Sequence, residues 1–141
     1  IPYEPWFIIK SNKLKTLKNI LSPNILKHFI LNYLSKKAFE KSIQNRIQTN
    51  QYFIGVLFTG KMNLEIVSSA LKKITEKIRG KENALIEILM HPGEAIQGDR
   101  IIWEENKTNL DYYFHPNRRM ERECLKSEAF KKLVEKYRNG D

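Results

Sequence analysis

The tripeptide His91-Pro92-Gly93 is the part of this chain whose residue types point most directly to chemistry. It follows residues 84–90, an apolar run with the length and composition of a buried β-strand. Pro92 disfavours the helical region for the residue before it, so we expect His91 to be extended, and Gly93 permits a sharp turn. The pattern therefore predicts an imidazole at the carboxyl end of a buried strand, where α/β folds bind ligands and carry catalytic side chains.

A second apolar run, residues 52–58, precedes this strand and ends in Thr59-Gly60. Between the two runs, apolar residues recur at helical spacing, and Gly80 is a typical end for such a helix. The apolar positions of this helix are Leu64, Val67, Leu71, Ile74 and Ile78. Strand, helix and strand in this order predict a βαβ unit with parallel, neighbouring strands. We therefore expect Thr59-Gly60 and His91 at the same rim of the sheet.

Helices are also predicted on both sides of this unit. Ser22-Pro23 is a helix-start signal, and the apolar spacing that follows predicts a helix over residues 23–46. His28 falls among polar residues of that helix, so we expect it on the surface. The expected packing face consists of Ile25, Leu26, Phe29, Ile30, Tyr33 and Leu34.

The carboxyl-terminal third begins with residues 94–116, which have no clear period and predict a long loop. Two helical segments, residues 118–126 and 127–138, follow it. Asn117 is the expected cap of the first segment, and Ser127 that of the second.

Composition limits the class of protein. The chain has 141 residues, of which 41% are hydrophobic and 29% charged, as in a soluble globular domain. Its apolar runs are too short to span a membrane. The single cysteine, Cys124, excludes an internal disulfide and, with no signal peptide, favours the cytoplasm. The start at Ile1, followed by a proline-rich Pro2-Tyr3-Glu4-Pro5, looks like the interior of a longer protein.

The formal net charge of +9 raises the question of a nucleic-acid partner. The lysines are scattered along the helices, mostly on their polar faces, and no nucleic-acid-binding motif accompanies them. We therefore do not expect nucleic-acid binding.

Three elements of the chain resemble the carbohydrate deacetylases of the YdjC/ChbG type, which include the hopanoid-biosynthesis deacetylases. The strand with Glu87 that ends in Met90-His91-Pro92-Gly93 is similar to that family's strand ending in a His-Pro-Gly turn. The run from Phe53-Ile54-Gly55 to Thr59-Gly60-Lys61-Met62 resembles its aromatic-Gly strand ending in Thr-Gly. The spacing of Arg118, Glu121, Leu125 and Ser127 resembles its Arg/Glu/Leu/Ser element. The resemblance covers about residues 50–137.

The resemblance implies a distorted (β/α) barrel with parallel strands and flanking helices, and hydrolysis of the acetamide of an N-acetylated sugar with a divalent metal, Mg or Zn. In that family an Asp-Asp pair and two further histidines come from the amino-terminal half. This sequence has no Asp-Asp pair, and of its three histidines only His91 lies on a family motif. We therefore interpret residues 1–141 as a single α/β unit, the carboxyl-terminal half of an incomplete barrel. We expect it to bind no metal ion and to be inactive alone.

By the same resemblance, His91 is the candidate general acid, since histidine is the side chain that most commonly donates and accepts protons near neutral pH. A structural hydrogen bond to a loop carbonyl is the alternative for His91. The candidate substrate-binding residues are Thr59, Gly60, Pro92, Gly93, Trp103 and Arg118.

Several residues keep two interpretations. Arg118 and Glu121 form either a local ion pair or a substrate contact. The aromatic residues Trp103, Tyr112 and Tyr113 either stack on a sugar ring or pack the loop down. Glu87 is expected in the barrel interior with an arginine or lysine partner, and a structural role is expected for it rather than the alternative, a catalytic one. His115 lies outside any predicted strand, and Cys124 is expected to be inert.

Three functions remain open from the sequence. The first is a fragment of a deacetylase. The second is a non-catalytic α/β module that binds an anionic partner through its basic surface. The third is one half of a split enzyme, completed by a separately encoded amino-terminal half.

Overall fold

The computed structural model describes residues 3–6, 23–78, 84–94 and 107–139. In these residues the chain is mixed α/β and mostly helical, with a two-stranded parallel sheet. Its elements are α1 (Pro23–Gln44), β1 (Tyr52–Ile54), α2 (Leu64–Ile78), β2 (Ile86–Ile88), α3 (Lys107–Tyr113), α4 (Pro116–Lys126) and α5 (Glu128–Asn139). None of these helices is both long and apolar enough to cross a membrane.

The chain divides into two compact units. The first unit lies within residues 1–59 and 65–89, and the second within residues 60–64 and 90–141. Each is described by itself below.

The first unit contains the predicted βαβ arrangement. Strands β1 and β2 pair in parallel, with Tyr52 opposite Ile86 and Ile54 opposite Ile88. Tyr3 forms a parallel bridge to Tyr52. Helix α2 connects the strands and buries Ile66, Val67, Ala70, Leu71 and Ile74. The predicted parallel pairing is confirmed, and so is most of the predicted apolar stripe, because period and burial agree in this helix.

Both strands are shorter than predicted. Strand β1 ends at Ile54 because the next residue, Gly55, adopts φ +147°, a backbone conformation that other residues rarely adopt. There is also no space for a side chain at this position, since a Cβ there would lie 2.8 Å from the Leu89 Cβ. Strand β2 is not buried on both faces, since its central residue, Glu87, is exposed, and Leu85, just before the strand, is 58% exposed. Among the described strands, β2 pairs only with β1. The apolar run of residues 84–90, which predicts a strand with neighbours on both sides, therefore has no strand partner on its other side in the described part of the chain.

Helix α1 buries the face opposite to the one that the sequence predicts. Its predicted start at Ser22 lies outside the described residues, and its helical range otherwise agrees. The helix buries His28, which is 3% exposed, and Ser35, whereas the expected packing face is mostly exposed. The surface assignment of His28 is therefore wrong, because polar partners elsewhere in the unit hold the polar side of α1 inward.

The second unit contains α3, α4 and α5, and α4 contacts α5. Helix α3 occupies part of the predicted 94–116 loop, so that prediction is wrong over Lys107–Tyr113. The cap of α4 is His115 rather than Asn117, because the His115 Nδ1 accepts the Asn117 N–H at 3.2 Å. Ser127 caps α5 as predicted, since its hydroxyl accepts the Phe130 N–H at 3.1 Å.

Candidate functional site

The carboxylate of Glu121 is the centre of the second unit. Glu121 lies on α4 and is completely buried. Its Oε1 accepts the backbone N–H of Met62 at 2.9 Å, and its Oε2 accepts the backbone N–H of His91. A buried carboxylate is costly unless it is hydrogen-bonded, and charge-assisted bonds to backbone amides provide that compensation. Glu121 therefore holds the Met62 and His91 segments at one point.

Local sequence explains how α4 presents this carboxylate. His115 caps the helix and Pro116 occupies its first turn, where the missing N–H of proline costs nothing. Glu121 follows about one and a half turns later. Burial and the Glu121 charge both raise the pKa of the Cys124 thiol. Cys124 is thus a poor thiolate and fits its predicted inertness.

His91 is held by its backbone and is half-buried. Its Nδ1 is buried and has no hydrogen-bond partner in the described part of the chain. An unpaired buried N–H is costly, so the neutral ring favours the tautomer with a bare Nδ1 and the proton on Nε2. The imidazolium form would need an acceptor at Nδ1.

Arg118 lies against the His91-Pro92-Gly93 turn. The Gly93 N–H donates to the Arg118 carbonyl at 3.2 Å, and the guanidinium Nη2 lies 3.5 Å from the Pro92 carbonyl. A Cβ at Gly93 would lie 2.6 Å from the Arg118 Nε. Gly93 does not have a positive φ. At this position glycine therefore leaves space for the Arg118 guanidinium, whereas the sequence predicted that it would permit a sharp turn.

The Arg118 guanidinium does not pair with Glu121, although the two are three residues apart. It lies 4.5 Å from the ring centre of Tyr112 and 5.3 Å from that of Tyr113. Its Nε and Nη1 are buried without hydrogen-bond partners among the described residues. The predicted local ion pair is absent from this part of the chain because both Glu121 oxygens bind backbone amides. What remains is a stacked cation with unused donors.

The other predicted substrate residues are placed separately. Thr59 belongs to the first unit, and its hydroxyl lies 2.6 Å from the Gly55 carbonyl and 2.8 Å from the Val56 carbonyl. Gly60 belongs to the second unit and has φ +73°. Trp103 lies outside the described residues. The expected proximity of Thr59-Gly60 to His91 stays a prediction.

A second buried carboxylate, Glu4, was missed by the sequence reasoning. It lies in the first unit and is 2% exposed. Its Oε1 accepts the N–H groups of Gly55 at 2.6 Å and Val56 at 3.0 Å, and its Oε2 accepts that of Leu57 at 3.0 Å. Three consecutive amides thus converge on one carboxylate, an arrangement known for anions. The available signals were a glutamate beside Pro5 and a glycine just after a short strand.

His28 and Asn32 of α1 complete the surroundings of Glu4. The His28 Nε2 lies 3.0 Å from the Glu4 carbonyl and 3.6 Å from its Oε2. The Asn32 amide donates to the Glu4 carbonyl at 2.8 Å and accepts the Glu4 N–H at 2.9 Å. Burial raises the pKa of Glu4 in spite of the three amides that lower it. Burial also lowers the pKa of His28.

Glu87 is not the interior carboxylate that the sequence suggested. Its side chain is exposed and accepts a hydrogen bond of 2.6 Å from the Asn50 amide, so it has no need of a cationic partner. An open cavity of about 610 Å³ lies nearby in the first unit, and it contains none of the predicted site residues. Its lining includes Phe39, Ile43, Ile47, Asn50 and Leu85.

The chain matches no protein-family profile, no characterised protein and no solved structure.

The described residues do not fit a divalent metal at His91. No group of three histidine, cysteine, aspartate or glutamate side chains among them is arranged to hold a metal ion. Glu121 is the carboxylate beside His91 in the second unit, and both of its oxygens accept backbone amides. We derive no chemical step through a metal held by these residues.

Proposed function

We propose that this chain is the carboxyl-terminal half of a distorted (β/α)-barrel carbohydrate N-deacetylase and that His91 is its general acid. One observation supports this most. The three segments that resemble the deacetylases, which contain Met62, His91 and Arg118-Glu121, meet through the Glu121 carboxylate. The metal ligands of the complete enzyme would come from an amino-terminal half, so the chain alone is inactive.

The proposed step is protonation of the leaving amine. A water oxygen first bonds to the acetamide carbonyl carbon. Protonated His91 then donates its Nε2 proton to the sugar nitrogen while the bond between the carbonyl carbon and that nitrogen breaks, so that acetate and the free amine leave and the ring is left neutral. The hydrogen bond from the His91 backbone N–H to Glu121 fixes the position of the backbone from which the imidazole ring extends. The buried Nδ1 would receive its acceptor from the amino-terminal half, and this acceptor would stabilise the imidazolium.

The same turn would bind the sugar. The N–H groups at Nε and Nη1 of Arg118 have no hydrogen-bond acceptor among the described residues, and sugar hydroxyl and acetamide oxygens are suitable acceptors for them. The carbonyl of Pro92 and the space at Gly93 determine where the guanidinium lies. Thr59, Gly60 and Trp103 are the further proposed substrate contacts.

The test uses the protein encoded by the complete reading frame that contains this chain. Acetate release from N-acetylated oligosaccharides is measured with added Mg²⁺ or Zn²⁺. We expect His91→Ala to lower kcat by about 10²–10⁴-fold and to leave metal affinity unchanged, because His91 donates a proton and binds no metal.

His115→Asn is the matched control, since it replaces another histidine of the same unit by a good helix cap. It should leave kcat unchanged. An unchanged kcat in His91→Ala would refute the role of His91, and stoichiometric metal binding with turnover by residues 1–141 alone would refute the incomplete-enzyme proposal.

A further inference from the structure

Helix α1 presents an apolar face to solvent. The five side chains of this face are between 49% and 65% exposed. They are Leu26, Phe29, Ile30, Tyr33 and Leu34. Their spacing of i, i+3, i+4, i+7 and i+8 places them on one side of the helix, the pattern by which amphipathic helices bind one another. We call these five residues the α1 apolar face.

The opposite side of α1 is already occupied. His28 and Asn32 bind the Glu4 backbone there, and Ser35 is buried on the same side. These bonds fix the rotation of the helix about its axis, so α1 cannot turn its apolar face inward without breaking them. The exposure of the face therefore follows from the polar contacts that hold the helix.

The surroundings of the α1 apolar face are basic. Between residues 23 and 46 the chain has five cationic residues and a single acidic one, Glu40, and all six are exposed. The cationic residues are Lys27, Lys36, Lys37, Lys41 and Arg46. The Lys37 ammonium lies 4.7 Å from the ring centre of Tyr33, so one cation belongs to the face itself. A complementary surface would combine apolar side chains with carboxylates.

We propose that the α1 apolar face binds an amphipathic helix of a protein partner whose apolar stripe is flanked by acidic residues. This inference rests on helix α1 and uses none of the residues of the proposed deacetylase site. Peptide binding by residues 1–141 that is absent from the protein of the complete reading frame would instead assign the face to the proposed amino-terminal half. A second copy of the chain is a poor occupant, because it would bring another strongly basic helix against this one, on a chain of net charge +9. A membrane is a poorer occupant, because the face is only nine residues long and Lys37 would have to extend from it to the headgroups.

The face spans nine residues, about 12 Å of helix, so we expect a modest, transient interaction. The probe is a synthetic helical peptide with leucines at heptad spacing and glutamates beside them. Its binding to the purified chain is measured by fluorescence anisotropy. We expect saturable binding that weakens with added salt, and no binding by the same peptide with lysines in place of the glutamates.

The variants separate the face from the rest of the helix. Ile30→Glu should weaken peptide binding at least tenfold, because it places a negative charge against the acidic peptide and removes a central apolar contact. Ile43→Glu is the matched control: it changes the same residue type on the same helix, at a side chain 62% exposed, outside the face. It should leave the affinity within twofold, and circular dichroism should show both variants folded.

Three results would overturn the proposal. They are failure of the acidic peptide to bind, equal loss of binding in the two variants, and equal binding of the acidic and basic peptides. Sedimentation showing self-association that Ile30→Glu abolishes would assign the face to a second copy. Tight binding to phosphatidylglycerol vesicles with no peptide binding would assign it to a membrane.

Discussion

Glu4 and Glu121 are two buried carboxylates that perform different tasks. Glu4, in the first unit, accepts hydrogen bonds from three consecutive backbone N–H groups of one loop, Gly55 to Leu57. Glu121, in the second unit, accepts one amide from each of two segments that are distant in sequence, at Met62 and His91. The first fixes the shape of a single turn, whereas the second joins segments. Only the second brings together the residues to which we assign a function.

The two carboxylates also differ in their neighbours. Glu4 has His28 within 3.6 Å, so a second titratable group shares its site. Glu121 accepts hydrogen bonds from the backbone amides of Met62 and His91. The comparison indicates that loss of Glu121 should affect the assembly of a site, whereas Glu4 should make the first unit sensitive to pH.

The largest expected effect is that of Glu121→Ala. It leaves the buried N–H of Met62 and the partly buried N–H of His91 without their acceptor, and the loss of an acceptor for a buried group costs about 1–3 kcal/mol. We expect the free energy of unfolding to fall by about 3 kcal/mol, measured by urea denaturation.

Glu123→Ala is its control, because Glu123 is exposed on the same helix and its carboxylate lies 3.4 Å from the guanidinium of its neighbour Arg122. It should change stability by less than about 0.5 kcal/mol. Similar losses in the two variants would show that α4 itself, and not the buried carboxylate, is the sensitive feature.

The next effect is the pH dependence from Glu4. Because its pKa is raised in the folded chain, the folded state holds more protons than the unfolded state at pH values between the two pKa values. The contribution of Glu4 to stability should therefore fall as the pH rises from about 4.3 through the raised pKa, with a slope of at most about 1.4 kcal/mol per pH unit.

The measurement is the difference in unfolding free energy between the wild type and Glu4→Gln at each pH, in which groups common to both proteins largely cancel. His28 contributes with the opposite sign: its pKa is lowered in the folded chain, so its contribution is lost as the pH falls from about 6.5 through the lowered pKa. A wild-type advantage that grows with pH would mean that the three amides outweigh burial at Glu4.

The smallest expected effect is that of Gly93→Ala on stability. The new Cβ would meet the Arg118 Nε at 2.6 Å, but this is the far part of a flexible side chain and can move. We expect a loss of less than about 1 kcal/mol in unfolding free energy.

The same change in the complete enzyme should raise KM, because Arg118 is displaced from the proposed sugar site. Gly55→Ala provides the contrast, since its Cβ would meet the Leu89 backbone oxygen at 2.9 Å and its φ is +147°. It should destabilise the first unit by more than Gly93→Ala destabilises the second. The reverse order would contradict the close approaches described here.

The sequence by itself determined the features that depend on local pattern. The βαβ arrangement followed from two apolar runs separated by a helical period, and Val67, Leu71 and Ile74 are buried as that period predicts. Ser127 caps α5 because capping involves a side chain and an amide only three residues apart. Such contacts are visible in sequence because their partners are neighbours in the chain.

Tertiary structure alone decided which polar groups are buried. The apolar period of α1 predicts its buried face only if hydrophobic burial sets the rotation of the helix. Here the bonds from His28 and Asn32 to Glu4, residues distant in the chain, set it instead. Glu121 likewise meets Met62 and His91 through contacts between remote segments. A buried polar group requires a partner, but hydrophobic periodicity contains no information about which remote residue supplies it.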